Sequence, residues 1–216
     1  MTAVTRSIGA RRPIGPRLAA GAVAVLATAA TLAATAIPAS ASTKLHAKYK
    51  VTGSTYIKAP NFTLDLGPGT LHATVNLKTG KLTATLSLPN ATGSFTQLGV
   101  VPVTATTQFI NDGPSTGSVN TKTGAVRTKS KITLRIASLT VAGIGIPVGK
   151  SCETKNAVVV RLASQPGFSV LAGGELAGSY TIGNFSGCGL ATLLINLTIP
   201  GSGNTITLKL GKAKSG

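Results

Sequence analysis

Leu71-His72-Ala73-Thr74-Val75-Asn76-Leu77-Lys78-Thr79-Gly80-Lys81-Leu82-Thr83-Ala84-Thr85-Leu86-Ser87-Leu88 is the stretch that decides the fold. Leu71, Ala73, Val75 and Leu77 recur at every second position, and Leu82, Ala84, Leu86 and Leu88 do so again after Lys78-Thr79-Gly80-Lys81. Side chains spaced by two stand on one face of a β-strand, so each half presents an apolar face and a polar one. Gly80 supplies the positive φ that a tight hairpin turn requires. The stretch therefore predicts a β-hairpin with one greasy side.

The alternation continues outward in both directions. Leu45, Ala47, Tyr49 and Val51 alternate with Lys44, His46, Lys48 and Lys50, which predicts a strand with an apolar and a basic face. Phe62, Leu64 and Leu66 predict a short strand ended by Gly67-Pro68-Gly69. Val75-Asn76-Leu77-Lys78-Thr79-Gly80 recurs as Val119-Asn120-Thr121-Lys122-Thr123-Gly124, which predicts a second hairpin whose return strand runs through Val126 to Ile136. Further strands are expected at Leu139 to Ile146, at Ala157 to Leu162 (apolar enough to be covered on both faces), at Phe168 to Leu171 and at Ser179 to Ile182. Thr192 to Ile199 and Thr205 to Leu210 read as a terminal hairpin around Pro200-Gly201-Ser202-Gly203-Asn204. Many short strands jointed by Gly and Pro predict an all-β domain, an antiparallel β-sandwich, with a β-barrel as the alternative.

Residues 1–41 read as a signal peptide ahead of a single domain at 42–216. Arg6, Arg11, Arg12 and Arg17 form a basic start, Leu18 to Ile37 an uncharged run, and Pro38-Ala39-Ser40-Ala41 a small-residue cleavage site with cleavage expected after Ala41. A leader retained as an anchor is the alternative, and membrane contact is expected only through it. Export leads to an oxidising compartment, where Cys152 and Cys188, the two cysteines of the chain, are expected to form one disulfide.

Composition narrows the function classes. The 216 residues include 21 Lys and Arg against 4 Asp and Glu, a net charge of +17. Removal of the four leader arginines leaves 17 basic residues against 4 acids, or +13. With so few carboxylates, acid/base pairs and oxygen-ligand metal sites have little to draw on, and no enzymatic activity, catalytic residue, metal or cofactor is predicted. Gly113-Pro114-Ser115-Thr116-Gly117 has the spacing of a nucleophile elbow but not its strand–turn–helix context, and both histidines precede the serine. His46 and His72 fall on the polar faces of their strands and read as surface imidazoles.

The basic residues are patterned. Arg127, Lys129, Lys131 and Arg135 share one parity while Ile132, Leu134 and Ile136 share the other, so four cations should stand opposite the core face; Lys44, Lys48 and Lys50 repeat the arrangement. Such rows concentrate polyanions through long-range attraction. Anionic cell-wall polymers or lipid headgroups are the expected partners, and nucleic acid is not, because no aromatics are interleaved for base stacking. A carrier that encloses a small apolar ligand between its sheets is the alternative reading.

The Asn-x-Lys-Thr-Gly turns, Ser151-Cys152-Glu153-Thr154, Tyr180-Thr181-Ile182-Gly183-Asn184-Phe185-Ser186-Gly187-Cys188-Gly189 and Ile199-Pro200-Gly201-Ser202-Gly203-Asn204-Thr205 resemble segments of uncharacterised secreted β-rich proteins of actinobacteria. The resemblance spans most of the chain after the leader. It implies export, a β fold and a disulfide, and carries no activity with it.

Overall fold

The computed structural model describes residues 43–97 and 99–216; the expected leader lies outside the described residues. Among the described residues, fourteen strands and one short helix follow in order. They are β1 (Lys44–Ile57), β2 (Phe62–Asn76), β3 (Lys81–Ser87), β4 (Ala91–Gln97), β5 (Val101–Asn111), β6 (Ser115–Val119), β7 (Val126–Val141), β8 (Ile144–Ile146) and β9 (Glu153–Thr154). β10 (Val158–Ser164), β11 (Gly174–Ile182), β12 (Phe185–Ser186), α1 (Ala191–Thr198), β13 (Gly201–Leu210) and β14 (Lys214–Ser215) complete the chain.

The domain is all-β, and its centre is a closed barrel rather than a sandwich. Eight strands pair in the ring β1-β2-β3-β6-β7-β10-β11-β13 and back to β1, each antiparallel to its neighbours. Closure falls on β7, whose first half pairs with β6 through Arg127↔Ser118 and with β10 through Lys129↔Arg161. A ring of eight strands encloses just enough space for side chains to fill, and the alternating Ala, Val and Leu of these strands fill it. Ala47, Val51, Ala73, Val75, Leu82, Ala84, Val126, Val160, Leu176 and Leu208 are all buried in one cluster, with Leu71 and Leu86 packed against it. Inward glycines let the backbones close together: a Cβ on Gly178 would run into the Arg161 carbonyl oxygen across the β10–β11 pair. A membrane-spanning barrel presents an apolar band to lipid and a polar interior; here Lys, Thr and Ser face out and aliphatics face in.

Several predicted boundaries shift. Gly67-Pro68-Gly69 does not end a strand; it is a bulge inside β2, where the register steps between Val51↔Gly69 and Gly53↔Leu66. The extra residue flips the parity, so Leu64 and Leu66 point inward before it and Ala73 and Val75 after it. A similar irregularity in β7 near Ala137 turns Leu139 back to the interior. Leu139 to Ile146 is not one strand, because Ala142 and Gly143, both at positive φ, fold β8 back onto β7. Phe168 to Leu171 belongs to a loop that plugs one end of the barrel, held by the Tyr49 hydroxyl donating to the Val170 carbonyl at 2.6 Å.

The other end is closed by a cap with its own core. The second half of β7 carries β5, and β5 carries β4; α1, β12 and the 147–152 loop pack beside them. Thr192 to Ile199, predicted as a strand, is instead the helix α1 (Ala191–Thr198) and its C-terminal cap residue Ile199. Ala191, Ile195 and Ile199 recur every four residues and are buried, which suits a helix seated on Phe185 and Ile182. Asn196 joins the helix to the segment beneath it, its amide bonding both the N–H and the carbonyl of Phe185. Cys152 and Cys188 form the predicted disulfide, fully buried in this core and 36 positions apart in sequence.

Two expected outcomes follow for stability. A loop of this length is worth about 4 kcal/mol in the chain-entropy model, so the Cys152→Ala/Cys188→Ala variant should melt on the order of 10 °C lower in calorimetry. An unchanged melting temperature would mean the cap is held without the disulfide. Burial raises the pKa of Tyr49, and raises that of Tyr180 against a smaller opposing effect of its hydrogen bond to Thr55. Both phenols are neutral in the fold, so their contribution is whole below the ordinary tyrosine value of 10.0 and is lost as pH climbs through the raised values. Urea midpoints should therefore fall above about pH 10, and Tyr180→Phe should flatten that fall.

Candidate functional site: the basic outer face

The barrel turns the predicted cation rows into a surface. On β7, Arg127, Lys129 and Lys131 are exposed on the outer face, as their parity predicts. Strand neighbours extend the row sideways: the register Lys81↔Ser118↔Arg127 crosses β3, β6 and β7, and Thr83↔Thr116↔Lys129↔Arg161 crosses β3, β6, β7 and β10. Directly opposed residues project to the same side about 5 Å apart, so Lys129 and Arg161 stand as a like-charged pair. Arg161 was hidden by its apolar neighbours; Ala157 to Leu162 is open on its outer face rather than covered on both.

Arg135 leaves the row. Its guanidinium forms an ion pair with Glu153, donating from Nε at 2.6 Å, and reaches Gln108 Oε1 at 3.3 Å. The other acids also lie away from the Lys129–Arg161 register. Asp112 accepts from the Thr133 hydroxyl, Glu175 faces Lys209 across β11 and β13, and Asp65 faces Ser54.

Beside Arg161 the outer surface opens into a polar groove of about 510 Å³, bordered by Asn156, Arg161, Ser179 and Thr181. Lys58 lies against Gly203 at its rim. The groove offers amide, hydroxyl and guanidinium donors on a rigid sheet, an arrangement suited to phosphate, sulfate or carboxylate oxygens.

Lys44, Lys48 and Lys50 are exposed on β1, and the structure adds Lys214 opposite Lys48 and Lys209 opposite Thr52. The two histidines are exposed on neighbouring strands: His46 pairs with Thr74 and Lys48 with His72, so both imidazoles border one shallow pocket of about 210 Å³. His46 Nδ1 is 3.1 Å from the Thr74 hydroxyl. Among the described residues no group of three His, Cys, Asp or Glu side chains gathers to hold a metal ion. Ser115 lies inside the barrel, its hydroxyl 2.6 Å from that of Ser130, with both histidines on the outside.

The interior is nearly full. Two apolar cavities of about 70 and 60 Å³ lie along the barrel, the first beneath the cap and the second toward the plug.

Comparison of the chain with protein-family models, with curated proteins and with solved structures finds no match.

Proposed function

We propose that this is a secreted, non-enzymatic protein of the cell envelope whose basic outer face holds anionic wall polymers or the headgroups of anionic lipids. The observation that carries the reading is the opposed pair Lys129 and Arg161, flanked by Arg127 and Lys131 and opening on the polar groove. Like charges set directly across a strand pair destabilise a sheet, so their presence side by side asks for a counter-charge from outside. A rigid barrel wall with cations at every second residue meets a linear polyanion at several points at once. The disulfide and the leader-like first 41 residues support an oxidising, exported setting.

The carrier reading rests on the two interior cavities. Each is smaller than the roughly 150 Å³ apolar cavity that admits a single benzene, and far below the roughly 300 Å³ at which drug-sized pockets begin. The outer groove is the larger space and is polar.

The test is retention on isolated cell walls and on purified wall teichoic acid. Binding should be firm at about 0.01 M salt, where fields reach about 30 Å, and lost near 1 M, where they reach about 3 Å. Lys129→Glu/Arg161→Glu should weaken low-salt binding by on the order of thirtyfold or more, at about 1 kcal/mol per surface cation. Retention that ignores both salt and the double substitution would overturn the proposal.

A further inference from the structure

The end of the molecule that carries the cap is chemically unlike the basic wall. Leu190, Leu193 and Leu197 are 99%, 70% and 76% exposed. At about 100° per residue they share one narrow stripe of α1, opposite the buried Ala191, Ile195 and Ile199. Leu194, half-buried, continues the stripe into an apolar groove of about 700 Å³ whose other wall is Val141 and Ile146. At the adjoining β7–β8 turn Ile144 is 67% exposed, and at the β4–β5 turn Val100 is 78% exposed. Those two turns are neighbours, because Val103 pairs with Val141 and the Ala142 N–H donates to the Pro102 carbonyl.

The apolar tips are unaccompanied by acids. From Gly183 to Leu208 the chain has no charged residue, and neither does Ala137 to Gly149. The first charge beyond the groove is the exposed cation Lys150, and the nearest acid, Glu153, is held by Arg135. A stripe of three leucines is costly in water, since burying one is worth roughly 1.5–3 kcal/mol. Aliphatic tips with a basic flank on a protein of net positive charge match the two layers of an anionic bilayer, acyl chains beneath headgroups.

We infer that the capped end is a membrane-docking surface: α1 lies in the interface of an anionic bilayer with Leu190, Leu193 and Leu197 among the acyl chains, and Ile144 and Val100 enter beside it. The contact is shallow. α1 has eight residues and is about 12 Å long, so it rests in the boundary and does not span. This surface is separate from the Lys129–Arg161 face, and each can fail without the other.

The chain contains no tryptophan, so one introduced indole reports on its own site. Leu193→Trp keeps the stripe apolar, and Thr85→Trp places the probe on the exposed outer face of β3, with both variants made in the full chain. On vesicles containing phosphatidylglycerol, the emission of the Leu193→Trp variant should shift to the blue and be quenched by lipids brominated along the acyl chains; that of the Thr85→Trp variant should do neither. The Leu193→Trp signal should survive salt near 1 M once docked, whereas headgroup attraction through the basic face is screened there. Replacing Leu190 and Leu197 by Ser in the Leu193→Trp background should reduce the quenched fraction about tenfold.

An unshifted Leu193→Trp variant on these vesicles overturns the inference, even if the protein sediments with them through its basic face or its leader. A blue shift that appears without vesicles and grows with protein concentration overturns it in favour of a second copy of the chain. Equal responses from the two probes overturn it as well, because they describe adsorption without orientation.

Discussion

The pairing of β7 with both β6 and β10 is the interaction on which the rest of this structure depends. Without it, the eight strands would be an open sheet with two long unpaired edges and an apolar face in water. Ring closure satisfies the backbone groups of both edges and folds that face onto itself. It also fixes what can line the interior. Eight strands leave little room, which suits a chain with 4% aromatic residues and many Ala, Val and Leu, and explains why inward glycines sit where strands approach most closely. The same closure places Lys129 beside Arg161, since the two meet across the strand pair that completes the ring.

A barrel has two open ends, and this chain closes them differently. At one end the 165–173 loop drops Phe168 and Val170 onto the core, with Tyr49 fastening the backbone of Val170. At the other, β7 runs beyond the ring and carries β5 and β4 as a lid, with α1 and the disulfide packed behind them. The lid is long-range structure: its core brings together Val103, Ile136, Cys152, Phe185 and Ile195 from five separate segments. A covalent link there has a clear physical use, because loop closure between distant segments costs the most conformational entropy.

Alternation made the strands legible, and the turn chemistry made the hairpins legible. Asn76 and Asn120 act alike, each side chain accepting from two backbone N–H groups of its turn, and Gly80 and Gly124 adopt the required positive φ. The two turns lie side by side, with the Val119 N–H donating to the Gly80 carbonyl, so the sequence repeat is also a spatial one. Sandwich and barrel were not separable, because inward and outward residues alternate identically in both and only the β7–β10 pairing distinguishes them. Bulges hid in the same way: Gly67-Pro68-Gly69 has turn composition, yet its neighbours pair straight through it. The helix was missed because Leu, Ile and Thr at 192–199 satisfy a buried strand as readily as a short helix. Ala191, Ile195 and Ile199 were the available signal, at a spacing of four rather than two. On the surface, three of the four predicted β7 cations stand together, Arg135 is taken by Glu153, and Arg161 was concealed within an apolar run.

The charge balance constrains any account of this protein. Seventeen cations against four anions in residues 42–216 oppose the compact state, because like charges repel most when the chain is folded. A closed barrel suits this load, since its outer wall spreads the charges around a full circle and its stability comes from an interior that contains none. Yet the distribution is uneven. Cations crowd β1 with β14 and β3 with β7 and β10, while the stretch from Gly183 to Leu208, which includes α1, carries no charge at all. Self-repulsion alone would favour an even spread, with cations on α1 as readily as on β7. The separation into a basic wall and an end whose leucine-bearing helix carries no charge is therefore a second property, independent of solubility. It is the property that an object lying between a charged polymer layer and a hydrocarbon layer would need.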